Sequence, residues 1–279
     1  MPLATPSASA TSALESGVMS NATDPATRYS AGARAYSEHW APVLLPHALR
    51  LIADLPLADA RRVVDVGAGV GSLLPVLRRA APGAHVIGCD AARGMIALAP
   101  PGESRLVCDA RRLPLASASI DVAVMAFTIF FVPDPAAAFA EVRRVLRPGG
   151  AFALTSWHGE PTFPALEVWR DAVRDFGAPA LPAWPASVLS VPSLQRSLAE
   201  SGFRDVSVEL GRFDHDHDPA AFLEIRLGTS GPWRQTLPEA THAAFLADVR
   251  ARLAALPPAG FHDPTEILFA RARVSGSGP

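Results

Sequence analysis

Between Val63 and Trp157, short apolar runs alternate with amphipathic stretches. Val63-Val64-Asp65-Val66 is β-branched and ends at glycines, the pattern of a buried strand. Gly71 to Ala80 reads as a helix with Pro75 near its start, where a missing N–H is tolerated. Val86-Ile87-Gly88-Cys89-Asp90 predicts a second strand, followed by a helix around Gly94–Ala99. Leu106-Val107-Cys108 predicts a third strand and Ile120–Ala126 a fourth. Pro135–Leu146 predicts a helix, with Asp134 as its cap and Pro135 at the first helical position. A turn at Arg147-Pro148-Gly149-Gly150 then leads into a fifth strand, Ala151–Trp157. Strands alternating with helices at this spacing predict an α/β fold, a doubly wound parallel sheet with helices on both faces.

The pattern changes after Trp157. Residues 158–192 carry many prolines and tryptophans and one clear helix near Ala165–Phe176, which predicts an inserted cap. Regular structure returns as a helix (Pro192–Ser201), a strand (Val206–Leu210), a helical stretch near Asp218–Leu227 and a helix at Pro238–Leu256. Glu266–Val274 predicts a last strand. Residues 1–28 are rich in Ala, Ser, Thr and Pro without an apolar run, so they read as a disordered tail, and 275–279 read likewise. One domain, 29–274, is the economical division.

Composition narrows the classes. A 279-residue chain that is 49% hydrophobic can bury a large core. A formal charge of −2 argues against a nucleic-acid partner bound by neutralising many phosphates. All 25 basic residues are arginine, which excludes Schiff-base enzymes and P-loop proteins that need a lysine. Two cysteines are too few for a disulfide scaffold. The apolar stretch between Asp121 and Asp134 is too short to span a bilayer, and no basic-then-apolar leader opens the chain. A cytoplasmic location without a membrane partner follows by default.

The candidate chemistry begins at Asp65-Val-Gly67-Ala-Gly69-Val-Gly71, where a strand hands over to a helix. Glycines there permit positive φ and let the backbone approach a ligand. The dinucleotide pattern G-x-G-x-x-G fits poorly, because the third glycine comes one residue early. Asp90 ends the second strand, where an acid can accept hydrogen bonds from both hydroxyls of a ribose or simply cap the next helix. Asp109-Ala110 follows the third strand on the same sheet edge.

V-V-D-V-G-A-G-V-G, G-C-D, C-D-A-R-R-L-P, F-F-V-P-D-P and E-V-R-R-V-L-R-P-G-G together resemble the class I S-adenosylmethionine (SAM)-dependent methyltransferases, in the small-molecule branch similar to ubiquinone/menaquinone-type enzymes. The resemblance covers residues 63–156 and extends to Tyr36-Ser-Glu-His-Trp40 and to Leu198–Val206. It implies a seven-stranded sheet of order 3-2-1-4-5-7-6 with strand seven antiparallel, and an N-terminal lid over 29–60. It further implies SAM as cofactor, S-adenosylhomocysteine as product and a small-molecule acceptor. A homodimer is a candidate assembly that the sequence itself does not specify. Gly67, Gly69 and Gly71 would pass under the methionine part of SAM, with Asp65 ordering the loop or meeting the amino group. Asp90 would hold the ribose, Ala91 and Met95 would flank the adenine, and Asp109 and Ala110 would meet its edge. Phe127 would lie near the methionine chain, and Tyr36 would contact the cofactor from the N-terminal segment that closes over SAM.

This chain departs from its relatives at Thr128-Ile129-Phe130-Phe131, where they often carry polar residues or histidine, which suggests an apolar acceptor pocket. Trp40, Phe131, Trp157 and His215 are the candidate acceptor contacts, and His158, just after the fifth strand, is the candidate general base. Asp214-His-Asp-His-Asp218 would present two histidines on one face of a strand, too few to hold a metal, so none is expected. The expected function is methyl transfer to an O, N or C atom of a small, largely apolar molecule such as a natural-product intermediate. The alternative is a SAM-binding fold that catalyses a non-methylating rearrangement or serves as a binding module.

Overall fold

The computed structural model describes residues 22–276. Its helices are α1 (Pro25–Ala35), α2 (Ala41–Ile52), α3 (Leu74–Ala80), α4 (Arg93–Ile96), α5 (Pro135–Val145), α6 (Pro164–Asp175), α7 (Val191–Glu200), α8 (Pro219–Thr229), α9 (Gly231–Arg234) and α10 (Glu239–Ala254). The strands are β1 (Arg62–Val66), β2 (His85–Asp90), β3 (Ser104–Val107), β4 (Ile120–Met125), β5 (Leu146–His158), β6 (Arg204–Arg212), β7 (His215–Asp216), β8 (His262–Asp263) and β9 (Glu266–Arg273). Seven of them form one sheet in the order β3-β2-β1-β4-β5-β9-β6. The β3-β2-β1-β4-β5 part is parallel, and β9 runs antiparallel between β5 and β6. With β9 as the seventh strand of that sheet, this is the order 3-2-1-4-5-7-6.

Every residue of β4 is buried. Successive side chains of a strand point to opposite faces, so both faces of the sheet are covered there. Phe139 from α5 and Phe203 before β6 pack on Phe152 of β5, at ring separations of 6.2 and 5.3 Å. At the sheet end away from the glycine loop, Asp121 accepts from the N–H groups of Arg61 and Arg62 (2.8 and 2.7 Å) and pairs with Arg147 at 2.7 Å. The Arg147–Gly150 turn is an excursion at the start of β5, whose pairing with β4 jumps from Leu146 to Ala151. Gly149 takes φ +78° there.

Two boundaries differ from expectation. The tail expected over 1–28 ends earlier among the described residues, because Asp24 caps α1 by accepting from Thr27 N–H at 2.8 Å. The first 21 residues lie outside the described ones. The cap also takes in more chain than 158–192. Its core joins Phe163, Leu166 and Trp169 to Phe222, Phe245 and Phe261, so α8 and α10 are part of it. Trp184 faces the other way, onto Phe130 at 4.4 Å. Among the described residues no helix is long and apolar enough to cross a membrane.

Helix α1, continued by a π-turn over Tyr36–Trp40, lies between the sheet domain and the cap. Small residues make this possible. A Cβ on Gly32 would stand 2.8 Å from the Thr229 nitrogen of α8, and one on Gly94 would stand 2.5 Å from the Ser30 carbonyl of α1. Ser30 Oγ accepts from Gly94 N–H at 3.1 Å.

Gly32→Val should therefore lift α1 off α8. Overpacking of this kind costs about 1–3 kcal/mol, and hydrogen exchange of the α1 amides should speed up roughly tenfold or more while the sheet amides stay protected. Unchanged protection of α1 would refute the close-crossing account.

Candidate functional site

The β1 run ends at Val66, and the chain then turns through Gly67, Gly69 and Gly71 at φ +76°, +55° and +74°. L-residues with a side chain rarely adopt these values, so glycine is required. The loop is held from both sides. Gly67 N–H and Ala68 N–H donate to the Cys89 carbonyl at 2.7 and 2.9 Å. Gly69 N–H donates to Asp90 Oδ2 at 2.8 Å, and Ala92 N–H to Asp90 Oδ1 at 2.7 Å. Asp90 thus ties the glycine loop to the start of α4, and each of its oxygens keeps a lone pair for a further donor. Burial raises its carboxyl, partly offset by these two N–H groups.

A pocket opens between this loop and α2, lined by Tyr36, Leu44, Asp65, Gly67, Gly69 and Phe127 among others. Asp65 is 2% exposed. Burial, and then the nearby Asp90 charge, push its carboxyl up to about 7. Tyr36 is half-buried above the loop, and a Cβ on Gly69 would meet the Met95 methyl at 3.4 Å and the Tyr36 ring at 3.9 Å. Phe127 closes the far side at φ +53°, a strained value for a bulky residue, and its N–H donates to Thr155 Oγ1 at 2.9 Å. Thr128 Oγ1 lies 3.2 Å from the Gly67 carbonyl and 3.1 Å from that of Ala126.

The sequence-based residues divide. Tyr36, Asp65, Gly67, Gly69 and Phe127 line the pocket, and Asp90 and Met95 border it. Gly71 turns away from it, because a Cβ there would strike Ala99 at 2.6 Å. Ala91 is exposed beside the buried Ala92. Asp109 is exposed and is clasped by Arg111, with contacts of 2.6 to 3.1 Å that hold its carboxyl below the ordinary value. Ala110 is half-buried next to it.

Beyond Phe127 the walls are aromatic. Trp157 lies 5.1 Å from Phe127 and 5.0 Å from Phe213. Trp40, His217 and Phe163 form a stack with ring separations of 5.3 and 5.1 Å. Phe131 packs between Tyr29 at 5.0 Å and Trp184 at 5.7 Å. His215 sits 5.3 Å from Phe213 and 4.7 Å from His217. The expected acceptor contacts Trp40, Trp157 and His215 thus share one cluster, and Phe131 heads its neighbour.

His158 does not join them. It alternates with Trp157 along β5, so it leaves the opposite face of the strand. Its Nδ1 pairs with Glu266 at 2.9 Å, and its side chain is 38% exposed. His47 on α2 fills the place instead, 5.4 Å from Phe213 and 6.4 Å from Phe127. Burial, then Arg50, lower its pKa; burial, then His217, lower that of His215. Both imidazoles are therefore neutral near pH 7, the state a proton acceptor needs. His47 was readable from helical spacing, since Leu44, Ala48 and Leu51 put it on the buried stripe of α2. Tyr29 had no comparable signal.

Asp214, His215, Asp216 and His217 are split by the β7–β8 ribbon. His262 pairs with Asp216 at 2.8 Å, and the buried His217 faces Asp263 at 3.7 Å. Burial works against the Asp263 charge, yet His217 and Thr265 hold its carboxyl below the ordinary value. Among the described residues no three His, Cys, Asp or Glu side chains converge as a metal site would require.

The family model for a methyltransferase domain matches residues 64–154. The trans-aconitate 2-methyltransferase of Azoarcus sp. (strain BH72) is 30% identical over 223 residues, which cover 75% of this chain and 84% of that protein. The demethylmenaquinone methyltransferase of Paenarthrobacter aurescens (strain TC1) is 30% identical over 156 residues, 54% of this chain, and the chain spans 59% of its length. Among solved structures, a SAM-dependent methyltransferase of Thermotoga maritima, described as a possible histamine N-methyltransferase, superposes with a TM-score of 0.53 at 20% identity, over 88% of this chain and 98% of that one. The motifs, the strand order and these likenesses agree: the chain belongs to the class I SAM-dependent methyltransferases.

Proposed function

We propose that this protein transfers a methyl group from SAM to a small, largely apolar acceptor seated against the rings of Trp40, Phe127, Trp157 and Phe213. The observation that carries the reading is the glycine cradle, closed by Asp90, with buried Asp65 beneath it and Tyr36 above. These residues fit the cofactor. The positive-φ glycines leave room for a chain against the backbone, Asp90 offers free lone pairs to a ribose diol, and Asp65 offers a carboxyl that a neighbouring ammonium would ionise.

When bound, SAM supplies an electrophilic methyl on a sulfonium, open to in-line displacement. The chain's residues position and shield. The aromatic walls exclude water and present ring faces to positive charge. Alignment of nucleophile and methyl carries most of the rate in such a displacement. For an acceptor that must lose a proton, His47 or His215 takes it on the neutral imidazole, and neither needs a metal or a charged partner to do so.

The reading is tested by calorimetry with S-adenosylhomocysteine, with NAD as the control, and by screening small acceptors for the mass of one added CH₂. Binding of NAD alone, or turnover of acceptors without a gain in mass, would overturn it. The second outcome would favour the non-methylating alternative.

Asp90→Ala should weaken S-adenosylhomocysteine binding roughly a hundredfold or more, since hydrogen bonds to a charged group contribute about 1.5–3 kcal/mol each. A folded variant with unchanged affinity would sink the ribose assignment. The pH dependence has a definite sign. Asp65, at about 7 when the pocket is free, is drawn to the carboxylate by the ligand's ammonium, so its proton is released on binding. Affinity should fall as pH drops below about 7, by up to about tenfold per unit, and level off above it. Asp65→Asn should flatten that profile in a titration from about pH 5.5 to about pH 8.5. With an acceptor that gives up a proton, replacing the catalytic histidine, His47 or His215, by Ala should cut kcat by about 10²–10⁴-fold. His158→Ala should leave kcat unchanged, and a large loss there would return the proton to His158.

A further inference from the structure

The β7–β8 ribbon sorts its ionisable residues by face. His215 stands opposite Asp263, and Asp216 opposite His262. The ladder continues where His217 N–H donates to the Phe261 carbonyl at 3.1 Å. Directly opposed residues project to the same side, so His215, His217 and Asp263 share the inner face. Asp216 and His262 take the outer face with Asp214, and His262 pairs with the two acids there at 2.8 and 3.3 Å.

The inner face is sealed. Asp263 is 3% exposed and His217 8%. Thr265 N–H donates to Asp263 Oδ1 at 3.0 Å, and the Thr265 hydroxyl donates to the same oxygen. Asp263 Oδ2 looks at His217 Nε2 across 3.7 Å, an ion-pair separation too long for a hydrogen bond. That nitrogen is buried and has no hydrogen-bond partner among the described residues, which is rare in native structures and calls for a reason. The His217 ring is sandwiched between Trp40 and Phe163, with planes within 19° and 14° of parallel, and it lies 4.7 Å from the ring of His215. His215 packs on Phe213 at 5.3 Å and on Trp40 at 6.3 Å, and makes no hydrogen bond or ion pair among the described residues. Asp263, His217 and His215 thus form a row from a buried acid to two of the rings assigned to the acceptor.

In methyl transfer to a hydroxyl, the acceptor oxygen bonds to the methyl carbon while the methyl–sulfur bond breaks, its electron pair staying on sulfur as a neutral thioether. The hydroxyl proton goes to the base, so an imidazolium replaces the sulfonium as the local cation. A neutral imidazole takes a proton unaided, but the cation it becomes has to be held among aromatic walls away from water. The charges facing the two candidate histidines differ. Asp263 and Asp216 favour a proton on His215, while His217 and His47 oppose a second cation there. His47 faces Arg50, one turn further along α2, which works against an imidazolium. The Asp263 charge is also felt by Arg226 of α8. A base oriented by a further acid is the general arrangement of activated proton transfer.

We propose that His215 is the catalytic proton acceptor and that Asp263, supported by His217, is its positioning carboxylate, which makes the methyl acceptor a hydroxylated ring that gives up a proton rather than a tertiary amine. This rests on the methyltransferase reading above, within which His47 and His215 are otherwise equivalent.

The protein saturated with S-adenosylhomocysteine, its histidines isotope-labelled for NMR, is titrated with para-nitrophenol and, separately, with para-nitroanisole, the methyl ether that has no proton to give. His215→Gln and His47→Gln assign the two imidazole signals. In the wild type, para-nitrophenol should turn to its yellow anion on binding while the His215 signals move to the imidazolium position and those of His47 stay. Para-nitroanisole should move neither. Asp263→Asn should lower the NMR titration midpoint of His215 by about 0.5 or more, and weaken the proton transfer from para-nitrophenol about threefold or more, because an anion that favours the imidazolium has been removed. Asp263→Glu should retain part of both effects, whereas a merely structural acid would leave the midpoint in place. Protonation of His47 instead of His215, protonation of neither, or an Asp263→Asn midpoint that does not move overturns the proposal. The wild-type comparison of His215 with His47 stands whether or not the Asp263 variants fold. Failure of the wild type to bind S-adenosylhomocysteine defeats the methyltransferase reading itself, a result separate from any of these.

Discussion

The carboxylate of Asp90 takes one N–H from the glycine loop, at Gly69, and one from Ala92, which opens α4. With the Cys89 carbonyl binding Gly67 and Ala68, the end of β2 becomes the template on which the loop after β1 is moulded. Everything else in the pocket takes its position from that template. Asp65 is held under the loop, Met95 and Tyr36 close over Gly69, and Thr128 fills the only space a side chain at Gly67 could use. Two acids are thereby brought together in a desolvated place, and the deeper one keeps its proton near neutrality. This is an electrostatic preference for a cation built before any ligand arrives, the preorganisation that makes polar sites effective when water is excluded.

The sheet was legible because its strands are β-branched runs ended by glycine or aspartate, and the glycine loop was legible because its spacing is tied to backbone sign. The cap reads short in the sequence for a physical reason. Its core is assembled from α6 and from α8 and α10, segments some fifty residues or more apart in sequence, and α10 lacks a strong apolar stripe of its own. The start of α1 reads as tail because small and polar residues dominate it. Those small residues are what let α1 approach two neighbours at backbone distance, so the composition that hid the helix is the reason it can dock.

The histidines carry the same lesson on a finer scale. Position at a strand end put His158 near the right edge of the sheet, but the two-residue period of β5 turns it away and gives that place to Trp157. His47 and His215 come from a helix and a two-residue strand, and both rings pack on Phe213. Helical spacing puts His47 on the buried stripe of α2, but the aromatic contact that brings it and His215 to one ring leaves no mark on local periodicity.

Helix α1 touches α4 through Ser30 and Gly94, and α8 through Gly32 and Gly228, so one helix joins the sheet domain to the cap. Contacts made at backbone distance leave no slack side chain to absorb a displacement, so a shift of the cap against α1 is passed on to α4 and the end of the sheet it packs on.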